Sequence, residues 1–216
     1  MALKSLKKKP PLADQAYTAI RSAIISNQLT PGEVLTEEAL ADMLGISRTP
    51  IRAALQRLLF EEIVRQQGKN MVVSDVTEQD VRDVNVVRIQ LEPLSARLIG
   101  ERGGLQAKQF QQLRQCNEKQ CAAAAAGDGA AFLDADYAFH VMLAQLSGNS
   151  FLVDLVEKSN LVVKRFHTLV NTLEKHSVTA GNEHRQILDA LEAQDYVHAE
   201  QAIRMHLQHV DERFFV

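Results

Sequence analysis

At 216 residues, 46% hydrophobic and 24% charged, the chain has the make-up of an ordinary globular protein, with room for one large domain or two modest ones; bulk disorder is excluded. No stretch approaches the ~20 uninterrupted apolar residues of a membrane-spanning helix, and the lysine-rich start has no apolar segment behind it, so a cytoplasmic protein without membrane attachment is expected. The net charge of -3 is unevenly divided: through Ser74 there are ten Lys and Arg against seven Asp and Glu, and beyond it fourteen against twenty.

Residues 1–10 read as a basic flexible arm in which Lys4, Lys7, Lys8 and Lys9 are a solvated tail or, alternatively, touch phosphate or the minor groove. Leu12, Ala16, Tyr17, Ile20, Ala23 and Ile24 then recur at helical spacing up to about Asn27, before the turn Thr30-Pro31-Gly32. Thr36 is placed to cap a short helix carrying Ala39, Leu40 and Leu44, which stops at Gly45. A third helix starts at Ser47, a natural N-cap, with Pro50 acceptable in its first turn. At about 100° per residue, Ile51, Ala54, Leu55 and Leu58 fall on one side of that helix, and Arg48, Thr49, Arg52 and Gln56 on the other.

One face is suited to packing and the other to a DNA major groove, where arginine takes two acceptors of a guanine edge or grips a phosphate and glutamine addresses adenine. Strand-like Glu62-Ile63-Val64-Arg65 and Met71-Val72-Val73-Ser74 flank a tip with Gly68 and Lys69, a β-hairpin "wing" that would set Lys69 and backbone amides near phosphates. Residues 11–74 are therefore expected to form a winged helix-turn-helix of three helices and a small hairpin.

From Thr77, an N-cap followed by Glu78, Gln79 and Asp80, only long helical patterns follow. They predict helices over 77–104, 105–126, 130–146, 151 to about Leu173, 181–193 and 195–214, an antiparallel bundle of about six occupying residues 75–216. The fold class expected for the whole chain is mainly α. Cys116 and Cys121, five apart, lie on different helix faces and match neither a redox pair nor a zinc ribbon.

Asp136 and His140, four apart, share a helix face; His184 and His206 lie on two further helices. Three imidazoles and one carboxylate suit a divalent ion, Zn, Ni, Mn or Fe, with positions left open for water or a ligand carboxylate. Spacing alone leaves ordinary buried or surface histidines as the alternative, and a metalloenzyme or a metal-ion sensor as rival uses of the same cluster. No HExxH and no nucleophile elbow is present, which counts against an enzyme.

Two stretches carry a family resemblance. Leu35-x-Glu37-x-x-Leu40-Ala41 followed by Gly45-Ile46-Ser47-Arg48-Thr49-Pro50-Ile51-Arg52 resembles the winged helix of GntR-type transcriptional regulators. That resemblance implies DNA contact by Arg48 and Arg52, with Gly68 in the wing. The chain departs from the family pattern at Ala53 and Glu62, where Glu and Gly are common, and at Glu38, where some relatives place a DNA-contacting arginine.

Arg88-x-x-Leu91-Glu92, Asp136-x-x-x-His140 with Gly148-Asn149, Glu183-His184-x-x-Ile187 and Met205-His206-Leu207 resemble the FCD effector domain of the FadR-like branch. This second resemblance implies a metal, Zn favoured, on Asp136, His140, His184 and His206, and a small organic-acid effector. Arg88 is the expected partner of the effector carboxylate, with an intrahelical ion pair to Glu92 as its alternative, and Arg165 is a second candidate. His167, His176, His198 and His209 match no ligand position and read as surface or packing residues. The function implied is a homodimeric regulator, not an enzyme, that binds double-stranded operator DNA and responds to its effector.

Overall fold

The computed structural model describes residues 10–170 and 177–215, and the chain falls into two units, Met1–Asp75 and Val76–Val216. Lys4, Lys7, Lys8 and Lys9, His176, and the expected helix end at Leu173 lie outside the described residues.

In the first unit, α1 (Leu12–Ile25) buries Ala16, Ile20 and Ile24, four residues apart and so in one stripe. That stripe packs on α3 (Arg48–Phe60), whose buried residues are Ile51, Ala54, Leu55 and Leu58. Between them, α2 (Glu37–Leu44) starts where Thr36 Oγ1 accepts from the Ala39 amide at 3.1 Å and stops at Gly45, which is left-handed at φ 65°. The Ser47 position is extended, as an N-cap must be, but its side chain makes no capping hydrogen bond.

The expected hairpin is present as β2 (Val64–Gln67) and β3 (Asn70–Val73), paired from Val64↔Val73 to Gln67↔Asn70. A third strand, β1 (Val34–Leu35), lies on the other edge of β3, giving the order β1-β3-β2. Two residues are too few for a readable alternation, so β1 exists only because β3 offers its open edge.

In the second unit the expected helix over 77–104 is two. Thr77 and Asp80 cap each other's backbone at the start of α4 (Glu78–Leu91), and α5 (Pro93–Glu101) begins at a proline. Pro93 has no N–H to continue the ladder and its ring crowds the preceding turn, so the helix breaks at Glu92. Then follow α6 (Ala107–Ala126), α7 (Gly129–Leu146), α8 (Ser150–Val170), α9 (Ser177–Glu192) and α10 (Tyr196–Phe215). The described helices of this unit thus number seven, where about six were expected. Short loops at 127–128 and 147–149 make α6/α7 and α7/α8 antiparallel neighbours.

The core of the bundle is built from Ile99, Leu113, Phe139, Leu143, Ile187, Ile203 and Leu207, contributed by α5, α6, α7, α9 and α10. Helix α9 starts four residues before the expected Gly181, because that glycine marks a close approach and not a helix start. A Cβ there would meet Cys121 Sγ on α6 at 2.8 Å. Both cysteines are free thiols, as expected for two helix cysteines.

The Gly148-Asn149 pair is architectural. Asn149 Oδ1 accepts from the Leu152 amide and so starts α8, while Gly148 turns the chain at φ 70°. Arg102 lies over Gly148 and donates from Nη1 to the Ser147 carbonyl at 3.1 Å, placing a cation at the end of α7. A methyl group at 148 would collide with that guanidinium. Gly148→Ala is expected to destabilise the helical unit by about 2 kcal/mol through the left-handed backbone and the displaced arginine. Arg102→Ala should cost less, and the double variant should cost less than the sum of the two, as read from denaturant midpoints.

Candidate metal centre and nucleic-acid interface

The exposed face of α3 carries Arg48, Thr49, Arg52 and Gln56, and the wing tip carries Gly68, at φ 62°, and Lys69, both also exposed. The arginines do not extend alone into solvent. Arg48 Nη2 donates to Glu38 Oε1 at 2.6 Å. Arg52 meets Glu37 through Nε and Nη2, at 2.7 and 2.8 Å, and the pair holds the Glu37 carboxyl below its ordinary value. Behind this face α3 is braced to α1: Arg57 donates to Asp14 at 2.7 Å and lies 3.8 Å from the centre of the Tyr17 ring. Tyr17 in turn donates to Glu61 at 2.7 Å; burial first, and that hydrogen bond second, push its phenol up to about 12.

In the helical unit, His140 of α7, His184 of α9 and His206 of α10 converge, each at most 2% exposed, with one ring nitrogen of each lying within 4.8 Å of the others. Each ring is held from behind. His184 Nδ1 is 2.7 Å from Gln120 Oε1, and the Gln120 amide nitrogen donates to Asp136 Oδ1 at 2.7 Å, which fixes which end of the amide faces the ring. His206 Nδ1 is 2.7 Å from Glu183 Oε2, whose other oxygen takes His209 Nδ1 at 2.9 Å. His140 Nδ1 lies 2.6 Å from Glu92 Oε2.

Gln120 and Glu183 accept at these contacts, so Nδ1 of His184 and of His206 carries the proton and the Nε2 of each turns a lone pair inward. His184 Nε2 and His206 Nε2 stand 3.1 Å apart, and both ring nitrogens of His140 are buried without a hydrogen-bond partner, its Nδ1 meeting Glu92 Oε2 as a close ion-pair contact. Lone pairs facing each other at that separation repel unless a cation or a proton lies between them. Burial, the largest influence, lowers the His206 pKa below its ordinary value and so disfavours the proton. The donor set therefore fits a divalent metal. Asp136, partly exposed, flanks the cluster with Oδ1 3.8 Å from His184 Nε2.

Arg88 is 2% exposed and is held within the protein: Nε donates to Glu92 Oε1 at 2.6 Å, Nη2 to Asn160 Oδ1 at 2.8 Å, and Nη1 reaches Asn85 Oδ1 at 3.3 Å. Of the two arrangements weighed for it, the structure shows the ion pair with Glu92. Asn160 also donates to Glu92 Oε1 at 2.8 Å. Burial alone would raise the Glu92 pKa, but Arg88 and His140 outweigh it and hold the carboxyl well below the usual range. Arg165 is buried on α8. His167, also on α8, is buried, a packing position, and desolvation lowers it to about 4, with Asp136 opposing and Arg88 adding to the shift.

Glu92, Gln120, Asn160 and Glu183 complete the site without having been assigned to it from the sequence. Gln120 could have been found: Leu113, Asn117 and Gln120 follow one helical stripe, and two amides on a buried face mark a polar network. Glu183 adjoins His184 and carried no separate signal.

A three-helix winged unit followed by a helical unit holding a buried histidine cluster is the arrangement of a two-part winged-helix protein. The comparisons with known proteins agree. Residues 12–73 match the family described as "Bacterial regulatory proteins, gntR family", and residues 83–209 match the FCD domain. The Uxu operon transcriptional regulator of Escherichia coli K12 is 30% identical, with 90% of this chain and 83% of that one covered. An uncharacterized HTH-type regulator, YdhC of Bacillus subtilis, is 26% identical over 94% of this chain and 91% of its own. Among solved structures, E. coli McbR/YncC superposes with a TM-score of 0.81 at 22% identity, covering 95% of this chain and 97% of that one, a likeness of fold.

The chain belongs to the GntR family and carries an FCD domain: it is a DNA-binding transcriptional regulator. The relatives named are regulators and not enzymes. No helix among the described residues is long and apolar enough to cross a membrane.

Removing one member of a buried ion pair strands the other. Glu92→Ala is expected to destabilise the helical unit by about 3–5 kcal/mol, whereas the apolar pair Arg88→Met, Glu92→Leu should recover most of that loss. Urea denaturation followed by helical circular dichroism checks both.

Proposed function

We propose that the helical domain binds a divalent metal, with Zn favoured among Zn, Ni, Mn and Fe, through His140, His184, His206 and Asp136, and uses it to anchor a small organic acid that alters operator affinity. The observation that carries this reading is the set of three buried imidazoles, one ring nitrogen of each within 4.8 Å of the others, whose Nδ1 atoms lie against Glu92, Gln120 and Glu183. Such backing partners fix the tautomer and raise the basicity of a ligating histidine. A metal held this way supplies a Lewis-acid position for a carboxylate oxygen. Arg88 and Arg165 are the buried cations proposed to favour an anion in the same domain, Arg88 through its place beside Glu92 and His140. With residues 11–74 as the DNA-binding domain and 75–216 as the effector domain, Arg48, Thr49, Arg52, Gln56, Gly68 and Lys69 form the surface for double-stranded operator DNA. The regulator works in the cytoplasm as a homodimer, since one winged helix offers few contacts and two read a palindrome.

The chain itself suggests how the site reaches the DNA-binding part. Glu92, in contact with His140, closes the C-terminal end of α4, and only two residues, Val76 and Thr77, separate α4 from the end of the first unit. A ligand that shifts His140 therefore acts on the helix that follows the linker, and it regulates only if the two states of that helix differ in affinity for it.

Metal analysis of the purified protein is expected to find a stoichiometric divalent ion in the parent and little in Asp136→Ala, His140→Ala. A thermal-shift screen of small carboxylic acids should yield an acid that stabilises only the parent, by about 2.7 kcal/mol at a hundred times its Kd. Absence of metal from both proteins would remove the proposal. On the DNA side, Arg52→Ala should cost about 1–3 kcal/mol of operator binding, and Lys69→Ala should weaken binding on all sequences and reduce the salt slope by about one.

A further inference from the structure

Both arginines on the exposed face of α3 are met by consecutive carboxylates from the first turn of α2. Glu38 takes one N–H of Arg48 at 2.6 Å, and both side chains stay open to solvent, 69% and 60% exposed. Glu37, by contrast, is more covered and takes Arg52 in a two-point grip. An exposed pair such as Glu38–Arg48 adds little to folding. Its importance lies in what it does to a surface that faces a polyanion.

Phosphate binding rewards net charge. Each arginine laid on the backbone displaces counterions and adds to an affinity that ignores sequence. A carboxylate at hydrogen-bond distance cancels that charge, and it is itself repelled by the phosphates. Reading a guanine edge has a different requirement, since O6 and N7 need N–H groups held in a fixed plane. Glu38 engages Nη2 alone and leaves the rest of the fork for a base. By anchoring the guanidinium to α2 it also removes part of the freedom that a lone arginine must lose on binding. Arg48 opens α3, the end of a recognition helix that reaches deepest into the groove.

We propose that Glu38 is a specificity-determining residue of the DNA interface: by holding Arg48 it turns that arginine from a phosphate grip into a base reader and lowers affinity for DNA of unrelated sequence. The proposal rests on the reading that the Arg48 face meets DNA, and the test separates the two.

The full-length protein is titrated, over a series of salt concentrations, against a duplex that it selects from a random-sequence pool and against a random duplex of equal length. Relative to the parent, Glu38→Gln keeps the shape and the Thr36 cap of α2. It is expected to bind the random duplex about 3- to 10-fold tighter, with a salt slope steeper by about one, and the selected duplex less than about twofold tighter, so that the specificity ratio falls. In an Arg48→Ala background the same substitution should change neither affinity. Equal tightening on both duplexes, or an effect that survives in Arg48→Ala, makes Glu38 a general repulsive charge and overturns the proposal, as does an unchanged ratio. If Arg48→Ala alone leaves both affinities at the parent's level, the interface itself is misassigned, and the proposal falls with it.

Discussion

A buried carboxylate organises the helical half of this regulator. Glu92 is withdrawn from water at the break between α4 and α5, where an isolated charge would be prohibitively costly. It is kept ionised by Arg88 from its own helix, by Asn160 from α8 and by His140 from α7. Three helices are thereby tied at one point. Asn160 spends its oxygen on Arg88 and its amide nitrogen on Glu92 and the Val156 carbonyl, so the network has one internally consistent assignment of donors and acceptors. Exchanging the two ends of the Asn160 amide would set its N–H groups against Arg88 and its oxygen against Glu92, which holds the side chain in this one orientation.

The histidine cluster inherits that rigidity. Glu92 lies against His140, Gln120 aims His184 and Glu183 aims His206; the last two partners decide a tautomer, and the three rings converge on one small space. The Phe139 ring, part of the bundle core, is stacked on His184 with ring centres 4.1 Å apart. The Arg88–Glu92 pair, a motif that by itself suggests a ligand-binding arginine, thus has a second reading in three dimensions, as support for a histidine.

The winged unit separates folding from recognition in a similar way. Ile51, Ala54, Leu55 and Leu58 face α1, with Arg57, Asp14, Tyr17 and Glu61 as a polar clasp beside them. The other side of the same helix is exposed and carries Arg48, Thr49, Arg52 and Gln56. Charges there can change with operator sequence at little cost to the core, which is why Glu38 can stand beside Arg48 without disturbing the helix-turn-helix.

Periodicity, capping residues and charge order were enough to establish from the sequence the winged helix, the helical bundle and the residue types suited to DNA, because each is a local property: a stripe every three to four residues, a threonine before a helix, a glycine after one. The histidines were legible as candidates for the same reason, being few and set in matching motifs. Other features were decided only by packing. The strand Val34–Leu35 needs the edge of β3, and Gly181 lies within a helix where α6 passes close by; the break at Pro93, by contrast, is a local signal that the helical periodicity around it masks. Above all, whether Arg88 points to a ligand or to Glu92, and whether Gln120 and Glu183 belong to the site, depends on contacts between residues as many as 72 positions apart along the chain. Spacing along one helix carries no record of what a neighbouring helix brings opposite it.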